Sequence, residues 1–267
     1  MKWTMDAEAA VKKVPFFVRK KVRSRIENEA AKAGKKTVSL ADVKATQARF
    51  LSNISSEVKG YQLDTCFGAN GCPNRANNGD KLLERIERLL KEEDLLSFLK
   101  QQVKGELKFH HEFRVTLADC PNACSQPQIK DIGIIGARLP VLTDEACTLC
   151  EACVDECREN VITLQKEKSR PDINYDLCLT CGKCIEACPT DTIVADKKGF
   201  KVQLGGKLGR HPQLAKELPG IYSEDEAISI VKDCIAFYKE NSKQGERFAE
   251  VFTLADFKNF AGKSFFV

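Results

Sequence analysis

Cys66-Phe-Gly-Ala-Asn-Gly-Cys72 and, beyond a helical stretch and a strand, Cys120-Pro-Asn-Ala-Cys124 combine a C-x5-C spacing with a C-x3-C spacing. Further along, Cys147-Thr-Leu-Cys150-Glu-Ala-Cys153-Val-Asp-Glu-Cys157 and Cys178-Leu-Thr-Cys181-Gly-Lys-Cys184-Ile-Glu-Ala-Cys188-Pro189 each read C-x2-C-x2-C-x3-C. Twelve of the thirteen cysteines therefore fall into three sets of four. The one left over, Cys234, lies in an apolar-periodic stretch with Ile228, Val231, Ile235, Phe237 and Tyr238 and reads as a small buried hydrophobe.

So many cysteines in a small secreted chain would mean disulfides. Here the start, Met1-Lys2-Trp3-Thr4-Met5-Asp6, lacks the apolar core of a signal peptide, and no apolar run is long enough to span a bilayer. The expected compartment is the cytoplasm, and the expected use of the thiols is metal binding. The 42 basic and 38 acidic side chains leave a formal charge of +4, which gives no electrostatic reason to expect nucleic acid. At 267 residues, 43% of them hydrophobic, the chain suffices for one sizeable core plus one or two small modules.

The two C-x2-C-x2-C-x3-C runs resemble the bacterial ferredoxin family. Two residues between thiolates let the backbone wrap a [4Fe-4S] cubane and turn its N–H groups toward the sulfides. Paired zinc sites would instead use two separated C-x2-C pairs. In the ferredoxin family the fourth cysteine of each run reaches across to the other cluster. The resemblance thus implies one cluster on Cys147, Cys150, Cys153 and Cys188, and a second on Cys178, Cys181, Cys184 and Cys157. Arg158 stands where the second run has Pro189, which loosens a turn but removes no ligand. Two adjacent clusters imply a module that carries electrons.

The set Cys66, Cys72, Cys120 and Cys124, with Pro121 and Asn122 in its second half, resembles the cluster motif of sirohaem-dependent sulfite and nitrite reductases. The likeness extends to a helix from Asp80 to Leu90, with Leu82, Leu83, Ile86, Leu89 and Leu90 at helical spacing. It also takes in strands at Phe109–Leu117, Asp131–Gly136 and Lys201–Lys207, and the stretches Gly206-Lys-Leu-Gly-Arg-His-Pro212 and Gly245-Glu-Arg-Phe248. By position, the family's bridge from cubane to sirohaem iron falls on Cys124. Asn122 either hydrogen-bonds the cluster or a sirohaem carboxylate, or shapes the turn.

A macrocycle bearing carboxylates and an anionic substrate both call for arginine and lysine. Arg75, Lys207 and Arg210 are candidates for the substrate and Arg114 for the macrocycle, and each reads equally well as a solvated surface charge. His211 beside Arg210 is a candidate proton donor or a structural histidine. His110 and His111 fall in a strand-like run where alternation exposes one and buries the other.

The expected fold class is α+β: a sulfite-reductase-type domain over 53–139 and 197–267, interrupted by a two-cluster insert over 140–196. The same insertion occurs in dissimilatory-type sulfite reductases, which favours sulfite over nitrite. Residues 1–52 form a helical module in which Val11, Val14, Val18, Val22 and Ile26 share a face, Pro15 opens a second helix, Gly34 ends it and Ser39 caps a third with Asp42. Trp3-Thr-Met-Asp-Ala-Glu and Lys13-Val-Pro-Phe-Phe-Val-Arg19 resemble the small C-terminal domain of light-independent protochlorophyllide reductase. The basic helix carrying Arg19, Lys20, Lys21, Arg23 and Arg25 reads as a solvated face or as a contact for an acidic partner or membrane surface.

The ferredoxin-like half-domain that the reductase family carries before the first cysteine pair is missing, so a homodimer or a separate catalytic subunit is expected to complete the sirohaem pocket. The expectation is a reductase fed by an external donor, a ferredoxin or a reductase subunit, through three [4Fe-4S] clusters to sirohaem. The alternative is an electron-transfer subunit that binds no sirohaem.

Overall fold

The computed structural model describes residues 1–263, so 264–267, the end of the expected reductase segment, lie outside the described residues. The chain divides into two compact units, 1–58 with 105–110, and 59–104 with 111–267.

In the first unit β1 (Lys2–Trp3) leads into α1 (Met5–Lys12), whose first turn is capped by the Thr4 hydroxyl accepting from the Ala7 amide at 3.4 Å. Pro15 immediately precedes α2 (Phe16–Lys32), and Gly34, at φ +71°, follows its end in the left-handed conformation. Then β2 (Thr37–Val38) pairs in parallel with β1. Ser39 and Asp42 form a reciprocal capping box that opens α3 (Leu40–Glu57). Ala7, Val11, Ile26, Ala30 and Val38 are buried together, with Trp3, Val22 and Val43 packed against them.

The second unit is built on a five-stranded sheet, in spatial order β3-β4-β5-β8-β9 once all strands are placed. From β3 (Tyr61–Thr65) the chain passes through α4 (Asp80–Glu92) and α5 (Leu95–Gln102) to β4 (Phe113–Ala118). Leu82, Ile86 and Leu90 are the buried face of α4, as their spacing requires, each contributing about 1.5–3 kcal/mol of apolar burial. Strand β4 starts at Phe113 and not at Phe109; residues Phe109–His111 form a single 3-10 turn, so alternation does not govern His110 and His111. The reason is Glu112, whose buried carboxylate accepts from the Lys59 amide and the Gln62 side chain, both at 2.8 Å, and so fixes the turn before the strand.

Strand β5 (Ile132–Leu142) is followed by α6 (Ala152–Asp155), β6 (Ile162–Gln165), β7 (Arg170–Ile173), α7 (Lys183–Ala187) and β8 (Ile193–Leu204). β3, β4 and β5 are parallel, whereas β8 runs antiparallel to β5 for the whole length of both. The sequence pattern ends one strand at Gly136 and starts the next near Gly199. The strands instead continue as a two-stranded ribbon to Leu142 and Ile193, with the register shifting at Leu139/Pro140, where proline lacks the ladder donor. The cysteine-rich segment grows from the tip of this ribbon. The chain closes with β9 (Lys216–Glu217), α8 (Glu224–Asn241), α9 (Phe248–Val251) and α10 (Leu254–Gly262). Tyr238 and Phe248 pack on Phe113 at 5.2 and 5.6 Å between ring centroids, which ties α8 and α9 to β4. Cys234 is fully buried on α8, as its apolar neighbours implied.

Candidate iron-sulfur and sirohaem site

Because Thr65 pairs with Leu117 in the parallel β3/β4 ladder, Cys66 and Cys120 leave the sheet at the same edge. The Cys66 amide donates to the Leu117 carbonyl at 3.1 Å, which locks the two exits together. Burial pushes the Cys120 thiol above its ordinary range, and the thiols of Cys66, Cys124 and Cys72 face it closely enough to raise it further. The thiols of Cys66, Cys72 and Cys124, drawn from two distant loops, thus stand near that of Cys120. Amides of Gly68 and Asp119 donate to the Cys66 sulfur, both at 3.3 Å, the pattern that offsets charge on a cluster thiolate. Gly68 has to be glycine, since a Cβ there would run into the Asp119 carboxylate. Of the four cysteines only Cys124 is exposed, and Asn122 donates its side-chain amide to the Cys124 sulfur at 2.9 Å. Ala123 between them holds a left-handed φ of +54°.

The insert repeats one plan. Each thiol of the first run has its counterpart 31 positions later, 147 with 178, 150 with 181, 153 with 184 and 157 with 188. Left-handed backbone recurs at the same offset, at Leu149 and Thr180, Glu151 and Gly182, Asn160 and Asp191. The Leu142–Ile193 and Ile162–Ile173 pairs that end the two ladders are also equivalent. Cys153 and Cys184 are buried in a small core with Val161, Ile162, Ile173 and Ile193.

Cys147, Cys150, Cys153 and Cys188 line one small cavity with Leu164, Pro171 and Ile193. Burial raises Cys153, and its thiol neighbours are Cys147, Cys188 and Cys150. Burial pushes Cys184 up to about 12, with Cys181, Cys178 and Cys157 facing it first. The fourth cysteine of each run therefore stands with the other run's first three. Amides donate to Cys147 and Cys178 from Leu149 and Thr180 at 3.3 and 3.4 Å, again at equivalent positions. None of the thirteen cysteines is paired in a disulfide. Among the described residues, no three His, Cys, Asp or Glu side chains converge on a single ion. The donor set of each quartet, four thiols without a histidine or carboxylate, suits a [4Fe-4S] cubane, whose cysteine sulfurs stand around a body of several atoms rather than around one metal.

A family model described as the nitrite and sulphite reductase 4Fe-4S domain matches residues 61–263. The chain belongs to that family. A second model, the proto-chlorophyllide reductase 57 kD subunit, matches residues 3–47. The coenzyme F420-dependent sulfite reductase of Methanocaldococcus jannaschii is 33% identical over 176 residues, covering 66% of this chain and 27% of that protein. An anaerobic sulfite reductase subunit of Salmonella typhimurium is 26% identical over 209 residues, covering 76% of this chain and 56% of that protein. The chain thus spans less than two thirds of the length of either relative. In fold it is similar to dissimilatory sulfite reductase I, with a TM-score of 0.52 at 15% identity over 76% of this chain and 52% of that one. This is an oxidoreductase family of α+β fold, and among the described residues no helix is long and apolar enough to cross a membrane.

Within this reductase-family domain the basic candidates are spread along the sheet. Arg75 lies 2.7 Å from the carboxylate of the buried Asp119, whose amide donates to Cys66, 3.1 Å from Asp80, and donates to Asn78 at 2.7 Å. Arg114 is on the β4 face opposite Phe113, Val115 and Leu117, and burial lowers its pKa, with Arg247 acting in the same direction. Its amide donates to the fully buried Asp131, which also holds Arg247 at 3.3 Å. Leu204 pairs with Ile132 at the start of β5, so the turn carrying Lys207, Arg210 and His211 leaves the sheet at the edge opposite the Cys66 and Cys120 exits. Lys207 is 3.8 Å from Glu250, and Arg210 and His211 are exposed. Cys124 lies between these edges, on the segment returning over the sheet, where the Ser125 hydroxyl donates to the Leu117 carbonyl at 2.9 Å.

Sequence reasoning missed Asp119, which presents its amide to Cys66 and its carboxylate to Arg75. Its place directly before Cys120 was the available signal. It also missed Arg138, Lys183 and Glu186, which join the second run to the ribbon and to the Cys72 loop; nothing in their spacing marks them.

Proposed function

We propose that this chain is the cluster-bearing part of a sirohaem-dependent reductase of sulfite or nitrite. Residues 1–52 are a helical module, 53–139 and 197–267 the reductase domain, and 140–196 an inserted electron-carrying module. The observation that carries the reading is the gathering of Cys66, Cys72 and Cys124 about Cys120, with Cys124 alone exposed.

When bound, three [4Fe-4S] clusters and sirohaem supply electrons and the iron centre for six-electron reduction of sulfite to sulfide, or of nitrite to ammonia. Cys66, Cys72, Cys120 and Cys124 would hold one cubane, with the exposed Cys124 thiolate the one that would face a sirohaem. Cys147, Cys150, Cys153 and Cys188 would hold a second, and Cys178, Cys181, Cys184 and Cys157 a third. Asn122, by donating to the Cys124 sulfur, fixes its lone pairs and draws charge from it. Arg114 serves a macrocycle carboxylate; Lys207 and Arg210 serve the anion. Arg75, held by Asp119 and Asp80, sets the positive field under the cubane. Sulfite is the favoured substrate, since both relatives described above are named sulfite reductases. An external ferredoxin or reductase subunit in the cytoplasm supplies the electrons.

A second reading, an electron-transfer subunit without sirohaem, is favoured by the spread of Arg75, Lys207 and Arg210 along the sheet. It leaves another polypeptide, or a second copy of this chain, to complete the anion cage. Reduced methyl viologen separates the two readings. Anaerobically purified protein is expected to oxidise it on addition of sulfite, and Cys124→Ser to abolish this while the inserted clusters remain reducible. Clusters that cycle while neither sulfite nor nitrite is consumed would favour the second reading.

A further inference from the structure

The two halves of the insert are not joined to the reductase domain in the same way. On the second-run side, the Arg138 amide of β5 donates to the Thr180 carbonyl at 2.7 Å, and Arg138 bridges to Cys181. Gly182 lets the Arg138 side chain lie against it, since a Cβ at that position would sit 2.9 Å from the Arg138 side chain. Arg138 then reaches Glu186 at 3.1 Å, Glu186 accepts from Lys183 at 3.0 Å, and the same Lys183 ammonium donates to the Pro73 carbonyl at 3.0 Å. Pro73 directly follows Cys72. A continuous polar chain therefore runs from the helix that carries Cys184 to the loop that carries Cys72.

Among the described residues the first run has no such chain. The residues equivalent to Gly182, Lys183 and Glu186 are Glu151, Ala152 and Asp155, and Ser169 stands where Arg138 would be. Cys150, the counterpart of Cys181, is exposed. Gly136, two residues before Arg138 on β5, packs against the Asp119 carbonyl beside Cys120, which puts Arg138 at the level of the sheet edge where the Cys66 quartet sits.

From this asymmetry we infer that Lys183 is a positioning residue. It holds the Cys178, Cys181, Cys184 and Cys157 quartet next to the Cys66, Cys72, Cys120 and Cys124 quartet, and the Cys147, Cys150, Cys153 and Cys188 quartet is the outer one, open to the electron donor. The inference rests on the three-cluster reading above and adds an order and a joint to it. The Lys183 side chain is half-buried and its ammonium is bonded to a backbone carbonyl of the Cys72 loop, so it acts by holding that loop and its own helix together. A misplaced quartet would still fill with iron and still be reduced by a strong reductant, but its magnetic contact with the neighbouring cubane would weaken.

The test uses anaerobically purified holoprotein, iron-quantified and fully reduced, in low-temperature electron paramagnetic resonance, with amide hydrogen exchange run in parallel. Lys183→Ala is expected to keep the iron content of wild type, to lose severalfold of the spin–spin broadening between the Cys66-quartet cubane and its neighbour, and to exchange faster over 180–187. Lys183→Arg, which keeps donors for the Pro73 carbonyl, is expected to restore both. Cys150→Ser should leave that broadening intact and Cys181→Ser should remove it. Unchanged broadening and exchange in Lys183→Ala, or loss of broadening in Cys150→Ser, would overturn the inference. Wild-type protein with too little iron for three cubanes would remove the three-cluster reading instead, and the exchange rates at 180–187, which need no cluster, would then decide whether Lys183 holds the joint.

Discussion

Cys147 to Cys157 and Cys178 to Cys188 turn the backbone left-handed at the same places and bury the same cysteine of the four, Cys153 in one and Cys184 in the other. Their surroundings differ. Glu151 occupies an exposed left-handed position, while Gly182 is pressed onto Arg138. Ala152 has no polar group to offer a partner loop, whereas Lys183 bonds to Pro73. A plan used twice separates what the cysteine quartet itself needs from what one neighbour needs. The shared features hold thiols, and the unshared ones attach a single quartet to the reductase sheet.

The most direct way to break this comparison is to write one half into the other. Gly182→Glu, the residue of the first half, adds a side chain where both backbone and Arg138 forbid it. It is expected to cost about 2–4 kcal/mol and to empty the quartet containing Cys184, read by thermal unfolding and iron content. The reverse change, Glu151→Gly, is expected to stay within about 1 kcal/mol of wild type, because relief of left-handed strain offsets the gain in unfolded-chain freedom.

Acidity sharpens the comparison further. In the Cys184 quartet burial raises both Cys178 and Cys184, the latter to about 12. In the other quartet burial raises Cys153, but at Cys188 the upward push of burial is outweighed by hydrogen bonds from the Thr190, Ile193 and Thr192 region, which hold it low. Iron takes the thiolate, so a raised thiol must release a proton on loading and its affinity for the cluster falls as pH falls. Reconstitution of metal-free protein is expected to lose occupancy of the Cys184 quartet at a higher pH than that of the Cys153 quartet, followed by iron-cluster spectroscopy across a pH series. The smallest effect belongs to Glu186→Gln, which weakens a partly exposed ion pair and is expected to cost under about 1 kcal/mol, with Asp155→Asn smaller still.

Much of this was legible because thiol spacing is rigid information. The three sets of four cysteines, the Asp80 helix, the Ser39 cap, the break at Pro15 and the buried Cys234 all follow from local rules about spacing, periodicity and caps, while the exchange of the fourth cysteine between the two runs followed from the ferredoxin resemblance. The ribbon that carries the insert was not legible, since Arg138, Lys197 and Lys198 lack the apolar alternation of a half-buried strand and Pro140 interrupts it. Nor was the start of β4, which is set by Glu112 accepting from Lys59, 53 positions away. The cysteine positions showed which thiols the fold would bring together. The basic side chains could not be ranked from sequence, because Arg75 and Arg114 owe their settings to Asp119 and Asp131, contacts created only by the fold.

The central claim is that Cys124 presents its sulfur to a sirohaem iron from a cubane that it shares with Cys66, Cys72 and Cys120. An optical spectrum taken together with an iron count on the anaerobically purified chain tests it most directly. Tetrapyrrole bands with about twelve irons in cubanes and one more in the macrocycle are predicted. A full complement of cubane iron in protein that is transparent in the tetrapyrrole bands would contradict it.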